Sequence, residues 1–319
     1  MYYYLRGMVR ARQRPIIVVE AGIDLIHFSS MKKIKLAILA TCLAPAVFLS
    51  LLWLAGIALS APVNQAIGTL PSDLNGQSVQ FSSQSGSLIH GWLLPGQKGT
   101  GVVVLMHGVR SNRLSMIDRA RFLSRAGYSV LLFDFQAHGE SPGQHITFGY
   151  LESRDAQAAI QYIRDKLPGE KIGVIGVSMG GAAALLASPP LDVKALVLEM
   201  VYPTINEAIA DRCKIRLGTW GEALAPFLSL QLRPRLGVSA DQLRPIEHVA
   251  SLREPKLFIV GAEDRHTTLA ESKLMYGAAS EPKEIWVIEG ATHTDLYAKA
   301  RAEYERRVLA FFNNNLRTQ

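Results

Sequence analysis

The sequence contains only two cysteines among its 319 residues, Cys42 and Cys213. Cys42 lies inside a long apolar run, so it cannot pair with a cysteine of a water-exposed domain. Neither cysteine has the spacing of a metal site. A disulfide-stapled scaffold and a cysteine-based metal centre are therefore excluded. The redox compartment is not decided, because many extracytoplasmic proteins lack disulfides.

Charge is missing from one long segment, since residues 36–63 carry no charged side chain. A transmembrane helix needs about 20 apolar residues, whereas the apolar part of a cleaved signal peptide has about 7–15. The length of the run predicts an uncleaved transmembrane signal anchor over residues 36–63. Ala58-Leu59-Ser60 is a small-x-small pattern that a signal peptidase accepts, so secretion after cleavage near Ser60 is the alternative.

Basic residues are concentrated before this run: residues 1–35 account for five of the seven net positive charges. A nucleic-acid-binding protein would spread such residues over a folded face, so we expect no nucleic-acid partner. Lys32, Lys33 and Lys35 precede the run, and residues 64–79 lack Lys and Arg. The positive-inside rule then places residues 1–35 in the cytoplasm and everything after the run outside it. Met31 is a second candidate start, which would leave residues 1–30 untranslated.

The remainder of the chain alternates short apolar runs with helical segments. Residues 64–77 are polar, contain Gly and Pro, and are predicted to be a linker. Residues 78–319 predict an α/β domain whose mostly parallel central sheet is covered by helices on both faces. The expected strands are a hairpin around Ser85-Gly86 and the runs 101–107, 129–135, 171–176, 193–199, 256–261 and 284–290. Residues 203–248 interrupt the alternation and predict a short helical lid near the carboxyl ends of the strands.

One motif at a strand end carries chemistry. Gly176-Val177-Ser178-Met179-Gly180 matches G-x-S-x-G, with an apolar strand before it and an Ala-rich helix after it. This strand–turn–helix context is the one in which a serine nucleophile is held in a strained turn, and the flanking glycines allow that turn. An ordinary glycine-rich turn is the alternative. We therefore predict that Ser178 is a nucleophile.

A serine nucleophile needs a base, and the base needs an acid that orients it. In this architecture the chain order is Ser, then Asp or Glu, then His. Asp264 follows the run 256–261 and His293 follows the run 284–290, so both should lie at the same edge of the sheet as Ser178. Glu263 and Glu199 are rivals for the acid, and Asp264 is favoured by its position after the strand.

Backbone donors for an oxyanion are expected from two places. The loop His107-Gly108-Val109 follows a strand, and Met179 follows the nucleophile, so the Val109 and Met179 N–H groups are the candidates. His107 is expected to shape its loop. His138 is a second conceivable base, but a role in stabilising its turn is the better interpretation, because its loop follows a different strand.

These motifs together resemble the alpha/beta-hydrolase superfamily. The similarity rests on HG after the third strand, D-x-x-x-H-G-E-S after the fourth, GVSMGG, GAED and ATH, and it covers roughly residues 78–316. It is strongest to small membrane-anchored abhydrolase-domain proteins, and it extends to the catalytic domain of prolyl-oligopeptidase-type peptidases, although no propeller is present. The resemblance implies a Ser-Asp-His triad without a metal or organic cofactor. Many relatives have Arg where this chain has Gln136.

The expected function is hydrolysis of a carboxylic ester or a related acyl bond through an acyl-enzyme on Ser178. The lid supplies apolar side chains, which either form the wall of an acyl pocket for a lipid-like substrate or pack on the sheet: Trp220, Leu224, Phe227, Leu228 and Leu230. A serine peptidase is the rival enzyme, and a membrane-tethered binding protein with an inactive hydrolase fold is the rival without activity. The fold alone does not choose among these substrates.

Overall fold

The structure is a computed structural model that describes residues 20–294 and 296–318, with the backbone alone for most positions before Thr41. The chain divides into two compact units, Met1–Leu52 and Trp53–Gln319. Helix α1 (Glu20–Ser60) begins in the first unit, and its last eight residues belong to the second. Of the predicted cytoplasmic tail, residues 1–35, the first 19 residues lie outside the described part of the chain.

Helix α1 contains the expected apolar segment only as far as Ser60. The sequence predicts a span over residues 36–63, but residues 61–63 lie beyond the helix and Val63 begins a short strand. Its part Thr41–Ser60 is long and apolar enough to cross a membrane. Pro45 lies inside it, which is tolerated in membrane helices. A signal sequence near an N-terminus has the same properties, so the helix confirms the apolar segment and leaves its orientation and its fate as predictions.

The second unit is built on one eight-stranded sheet with the strand order β10-β9-β8-β7-β4-β5-β3-β2. The hairpin β2–β3 is antiparallel and β3 is antiparallel to β5, while all other neighbours are parallel. The expected strands are confirmed with small shifts at their ends. The strands are β2 (Gln77–Ser82), β3 (Leu88–Leu94), β4 (Val102–Met106), β5 (Ser129–Phe133), β7 (Ile172–Val177), β8 (Ala195–Glu199), β9 (Lys256–Gly261) and β10 (Lys283–Ile288).

Helices cover both faces of this sheet, as expected. Along β4, Val102, Val104 and Met106 face one buried cluster, and Val103 and Leu105 face the other. The first cluster includes side chains of α3 (Tyr150–Lys166), α4 (Met179–Leu186) and α9 (Leu269–Ala278). The second includes side chains of α2 (Ile117–Arg125), α10 (Leu296–Lys299) and α11 (Arg301–Leu316). The alternation of apolar residues to both faces explains why the central strands β4, β5, β7, β8 and β9 are buried on both faces.

The segment between β8 and β9 is helical, in agreement with the predicted lid. It contains α5 (Ile205–Leu217), α6 (Thr219–Ser229), α7 (Leu232–Leu236) and α8 (Pro245–Val249), with a 3₁₀ turn at Ala240–Gln242. Gly221 of α6 allows a close approach to α5, because a Cβ there would lie 2.1 Å from the Cys213 carbonyl oxygen.

The polar segment 64–77, which the sequence indicates as a linker, follows the surface of the domain. Strand β1 (Val63–Asn64) pairs in parallel with β6 (His138–Gly139). Ile67, Leu70 and Leu74 pack against one of the buried clusters. These three residues recur every three or four positions among polar ones, so the segment covers the domain with one apolar edge.

Candidate active site

Ser178 lies in the sharp turn between β7 and α4. Its backbone has a φ of 50° and a ψ of −113°, a left-handed conformation that is costly for a residue with a side chain. The turn depends on its glycines. A Cβ at Gly180 would lie 2.3 Å from the Met106 carbonyl oxygen, and a Cβ at Gly176 would lie 2.6 Å from Gly181 Cα. The sequence therefore builds the strained turn that the G-x-S-x-G motif predicts.

The structure brings Ser178, His293 and Asp264 together, although they are far apart in the sequence. The Nε2 atom of His293 lies 3.2 Å from Ser178 Oγ, and its Nδ1 atom lies 2.7 Å from Asp264 Oδ2. The other carboxylate oxygen of Asp264 accepts N–H groups of His266 at 2.7 Å and Thr267 at 3.0 Å. The Asp264 side chain is buried, and 13% of the His293 side chain is exposed.

The loops that carry the acid and the base are joined by backbone contacts. Ala262 N–H donates to Ile288 O at 3.0 Å, and Glu263 N–H donates to Ala291 O at 2.9 Å. A Cβ at Gly261 would lie 2.5 Å from that same Ala291 oxygen, so the loops approach closely only because this position is glycine. The relative position of Asp264 and His293 is thus fixed by backbone hydrogen bonds.

The two rivals for the acid are placed elsewhere. Glu263 is exposed on the loop. Glu199 is buried and binds Arg119, whose Nε and Nη2 atoms lie 3.0 and 2.5 Å from its two oxygens. Tyr304 donates its hydroxyl to Glu199 at 2.5 Å. Among the three acidic candidates, Asp264 is the one in contact with His293.

The two candidate oxyanion donors lie next to Ser178. Met179 is the first residue of α4, and the first N–H groups of a helix have no partner within the helix. The loop after β4 also approaches Ser178, because a Cβ at Gly108 would lie 3.7 Å from Ser178 Cβ. Val109 directly follows that glycine. The positions agree with the expected donors, and their function stays a prediction.

His107 and His138 are buried and structural in their contacts. The His107 Nε2 atom accepts the Phe135 N–H at 3.1 Å, and the His138 Nε2 atom accepts the Arg110 N–H at 3.1 Å. Burial lowers the pKa of His107 to about 3, and burial also lowers the pKa of His138. Neutral rings that accept backbone hydrogen bonds fit the interpretation that both histidines shape their loops.

The rest of the D-x-x-x-H-G-E-S motif forms an ion-pair cluster that sequence reasoning missed. Arg113 Nη1 lies 2.5 Å from Asp134 Oδ2, and its Nη2 binds Glu140. The guanidinium also lies over the Trp92 ring, 4.4 Å from its centroid. The motif was visible, but its partner Arg113 lies 21 residues before Asp134, and only the fold shows that pairing.

Gln136 has a structural role in the same region. Its side-chain amide donates to His145 O at 2.7 Å and to Glu152 Oε1 at 2.8 Å. Glu152 in turn accepts the Thr147 and Gly149 N–H groups at the start of α3. The amide at this position therefore joins the fourth-strand loop to α3.

The described residues include one group that could hold a metal ion, and it overlaps the candidate active site. Ligand atoms of Asp264, His266 and His293 all lie within 4.8 Å of one another. The His266 and His293 ring centroids are 5.0 Å apart. A metal there would take atoms that now bind each other, because Asp264 and His293 share a hydrogen bond. The absence of a metal requirement stays a prediction.

The apolar side chains of the lid differ in their exposure. Trp220 is 83% exposed and Leu230 is 73% exposed. The residues of α6 that are buried are small, Gly221 and Ala225. Leu224 and Leu228 are half-buried, and close packing of α6 on α5 leaves the inner side of α6 to the small residues. A role of the large apolar residues in an acyl pocket stays a prediction.

Comparison with known proteins supports a hydrolase. A family model described as "Serine aminopeptidase, S33" matches residues 97–242, which include β4, the Ser178 turn and most of the lid. An esterase from Pyrococcus furiosus, Pf2001, has a similar structure, with a TM-score of 0.66 and 25% identity over 80% of this chain and 99% of that one. The chain belongs to the alpha/beta-hydrolase superfamily.

Relatives are found in bacteria and plants. The uncharacterized protein YqkD of Bacillus subtilis is 26% identical over 218 residues, which is 66% of this chain and 71% of that protein. The alpha/beta hydrolase domain-containing protein WAV2 of Arabidopsis thaliana is 24% identical over 250 residues, 74% of this chain and 78% of that protein. The similarity thus extends over most of each relative.

Proposed function

We propose that the protein is a serine hydrolase that cleaves a carboxylic ester or a related acyl bond through an acyl-enzyme on Ser178. The observation that carries this proposal is the continuous hydrogen-bonded series from Ser178 Oγ through His293 to Asp264. A hydroxyl is a weak nucleophile unless a base takes its proton, and this arrangement provides such a base.

In this mechanism His293 Nε2 accepts the proton of Ser178 as Oγ attacks the acyl carbon. Asp264 holds the ring through Nδ1 and stabilises the imidazolium that forms. The Val109 and Met179 N–H groups stabilise the oxyanion, and loss of one such donor typically lowers kcat by about 10²–10³-fold. His293 then protonates the leaving group, and a water activated by the same ring releases the acyl group.

Two observations favour different leaving groups. The Pf2001 structure is named an esterase, which favours an ester substrate. The family description "Serine aminopeptidase, S33" favours an amide, so a peptidase is the second candidate. Turnover of a panel of esters and matched amides by the full chain distinguishes them: an esterase hydrolyses the esters alone.

We also propose that helix α1 anchors the protein in a membrane, with residues 1–35 in the cytoplasm and the hydrolase domain outside it. The length of Thr41–Ser60 and the lysines before it support this topology. A secreted protein, cleaved near Ser60, is the alternative. Mass spectrometry of the mature chain distinguishes the two, because cleavage removes every peptide before residue 61.

The central experiment is labelling with a fluorophosphonate probe, which reacts with an activated serine. The wild-type chain should be labelled, and Ser178→Ala should abolish labelling and lower kcat by about 10⁶-fold. Ser153→Ala is a matched control, because that serine is buried in α3 and donates to Tyr150 O at 2.7 Å. Wild-type labelling that persists in Ser178→Ala would refute the assignment, and an unlabelled wild type would favour the inactive binding protein.

A further inference from the structure

Helix α6 has its apolar side on the outside. Trp220, Leu224 and Phe227 follow one another at helical spacing, so they form one stripe along the helix. Trp220 is 83% exposed, Phe227 is 45% exposed and Leu224 between them is half-buried, whereas Gly221 and Ala225 are buried. A surface helix of a water-soluble domain normally has the reverse arrangement. The exposed stripe continues into Leu230, which is 73% exposed.

The end of the apolar helix α1 contacts the residues that directly follow this stripe. Arg235 of α7 donates to Ser60 Oγ at 2.6 Å, and its guanidinium lies 5.7 Å from the centroid of the Trp53 ring. A Cβ at Gly56 would lie 2.3 Å from the side-chain oxygen of Gln231. Trp53, Gly56 and Ser60 span about two helical turns, or roughly 10 Å. The last turns of the candidate membrane span are therefore packed on α7.

The contacts between α1 and α7 determine how far the lid can lie from a bilayer that α1 crosses. If Thr41–Ser60 crosses the membrane, then Trp53–Ser60 lies in the outer part of the apolar layer and in the interface. Gln231 and Arg235 lie beside these residues, and Leu230 precedes Gln231 in the chain. The adjoining end of α6 must then be at the membrane surface as well.

We propose that the stripe formed by Trp220, Leu224 and Phe227 of α6, together with Leu230 directly after the helix, lies in the interfacial layer of the membrane that α1 spans. Tryptophan is enriched at this layer because its ring is apolar and its N–H is polar. A helix with one apolar face buries that face at the boundary between headgroups and acyl chains. This inference rests on the proposed membrane anchor, and it places the lid of the candidate active site against lipid.

A bilayer explains the stripe better than the other possible occupants. A substrate chain in a pocket would need these side chains to line an enclosed space, and Trp220 and Leu230 are largely exposed. A second copy of the chain would bury the stripe equally well at any distance from α1, so a dimer does not explain why the stripe lies next to residues that contact α1. The contacts of Trp53, Gly56 and Ser60 with α7 instead join the stripe to the candidate span.

The test is quenching of tryptophan fluorescence in the full chain reconstituted into phosphatidylcholine vesicles with brominated acyl chains. The chain has four tryptophans, and Trp53→Phe removes the one in the candidate span. Of the remaining three, Trp92 is fully buried and Trp286 lies on β10. Trp53→Phe should be quenched, and Trp53→Phe/Trp220→Phe should lose most of that quenching. Bromine near the headgroup should quench more than bromine at the chain end.

Flotation of the same vesicles separates the possible failures. Protein that floats with the vesicles while Trp220 stays unquenched overturns the inference and leaves the anchor intact. Protein that does not float overturns both, without affecting the labelling of Ser178. Crosslinking between the α6 helices of two chains, without quenching of Trp220, would show that a second copy of the chain covers the stripe. That result would overturn the inference.

A second measurement uses activity. Trp220→Ser/Leu230→Ser should lower turnover of a long-chain ester embedded in vesicles by tenfold or more and leave turnover of a short soluble ester within about twofold. Leu88→Ser is the matched control, since Leu88 is 42% exposed on β3, at the far side of the sheet from β10. Equal effects of the two sets of changes on both substrates would contradict a specific role for α6.

Discussion

The Nδ1 atom of His293 lies 2.7 Å from Oδ2 of Asp264, and the other oxygen of that carboxylate is already occupied by two backbone N–H groups. The carboxylate therefore cannot rotate to present a different oxygen without losing these bonds. This arrangement selects the tautomer of His293 that keeps its proton on Nδ1 and leaves Nε2 free to accept the Ser178 proton.

Replacement of the acid tests that relationship. Asp264→Asn should keep the shape of the loop and lower kcat by about 10⁴-fold, because an amide can present an N–H to His293 and select the wrong tautomer. Glu263→Gln is the matched control on the neighbouring exposed residue and should leave kcat within about twofold. Steady-state kinetics measure kcat of both variants. Equal losses of kcat in Asp264→Asn and Glu263→Gln would contradict the assignment of Asp264 as the acid.

The turn at Ser178 should tolerate no side chain at Gly180. Gly180→Ala would place a Cβ 2.3 Å from the Met106 carbonyl oxygen, so the turn must shift. We expect a loss of about 1–3 kcal/mol in the free energy of unfolding and weaker probe labelling. Gly277→Ala is the control within α9, where a Cβ meets no heavy atom of the described residues within 4 Å. It should stabilise the protein by about 0.5–1 kcal/mol in thermal or chemical unfolding.

The buried ion-pair cluster should contribute to stability. Arg113→Ala leaves Asp134 buried without its counter-charge and should cost about 3–5 kcal/mol in the free energy of unfolding. Arg306→Ala removes one of two exposed partners of Glu303 and should leave the midpoint of unfolding nearly unchanged, because solvent screens an exposed pair. Urea unfolding followed by circular dichroism measures both. Similar small losses would show that the cluster stabilises the fold little.

Asp155 should make stability depend on pH. Burial raises the pKa of its carboxyl to about 7, well above the ordinary value of 3.8. The folded state therefore holds this proton more tightly than the unfolded state. The free energy of unfolding should be highest at low pH and should fall as pH rises from about 4 to about 7, because only the unfolded state loses the proton in that range. Asp155→Asn should flatten that part of the profile. An unchanged slope between these pH values in Asp155→Asn would contradict the role of Asp155.

The sequence predicts that Ser178, Asp264 and His293 lie together because each of them follows a strand. Ser178, Asp264 and His293 each come directly after an apolar run, and the carboxyl ends of parallel strands meet at one edge of a sheet. The sequence alone does not exclude Glu199 as the acid. That residue also ends a strand, and only the structure shows that Arg119 and Tyr304 bind it.

Other features depend on contacts that no local pattern reveals. The apolar composition of residues 219–230 indicates a helix with large apolar side chains, but it does not say which side faces the domain. The small residues Gly221 and Ala225 decide that side by allowing close packing on α5. The pairing of Val63 and Asn64 with β6, at the boundary between the predicted span and the predicted linker, likewise has no local signal, since β1 has only two residues.

The hydrogen bonds around Ser60 have a consequence for any release of the domain from its helix. Arg110 Nη1 donates to Ala58 O at 3.1 Å, and Ile146 N–H donates to Ser60 O at 2.9 Å. Arg110 directly follows Val109, the candidate oxyanion donor. Proteolytic shedding after Ser60 would remove Ala58 and leave Ala61 O, 3.5 Å from Arg110 Nη1, as the acceptor that remains. The side chain next to the candidate oxyanion donor would then be held by one longer hydrogen bond in the shed form.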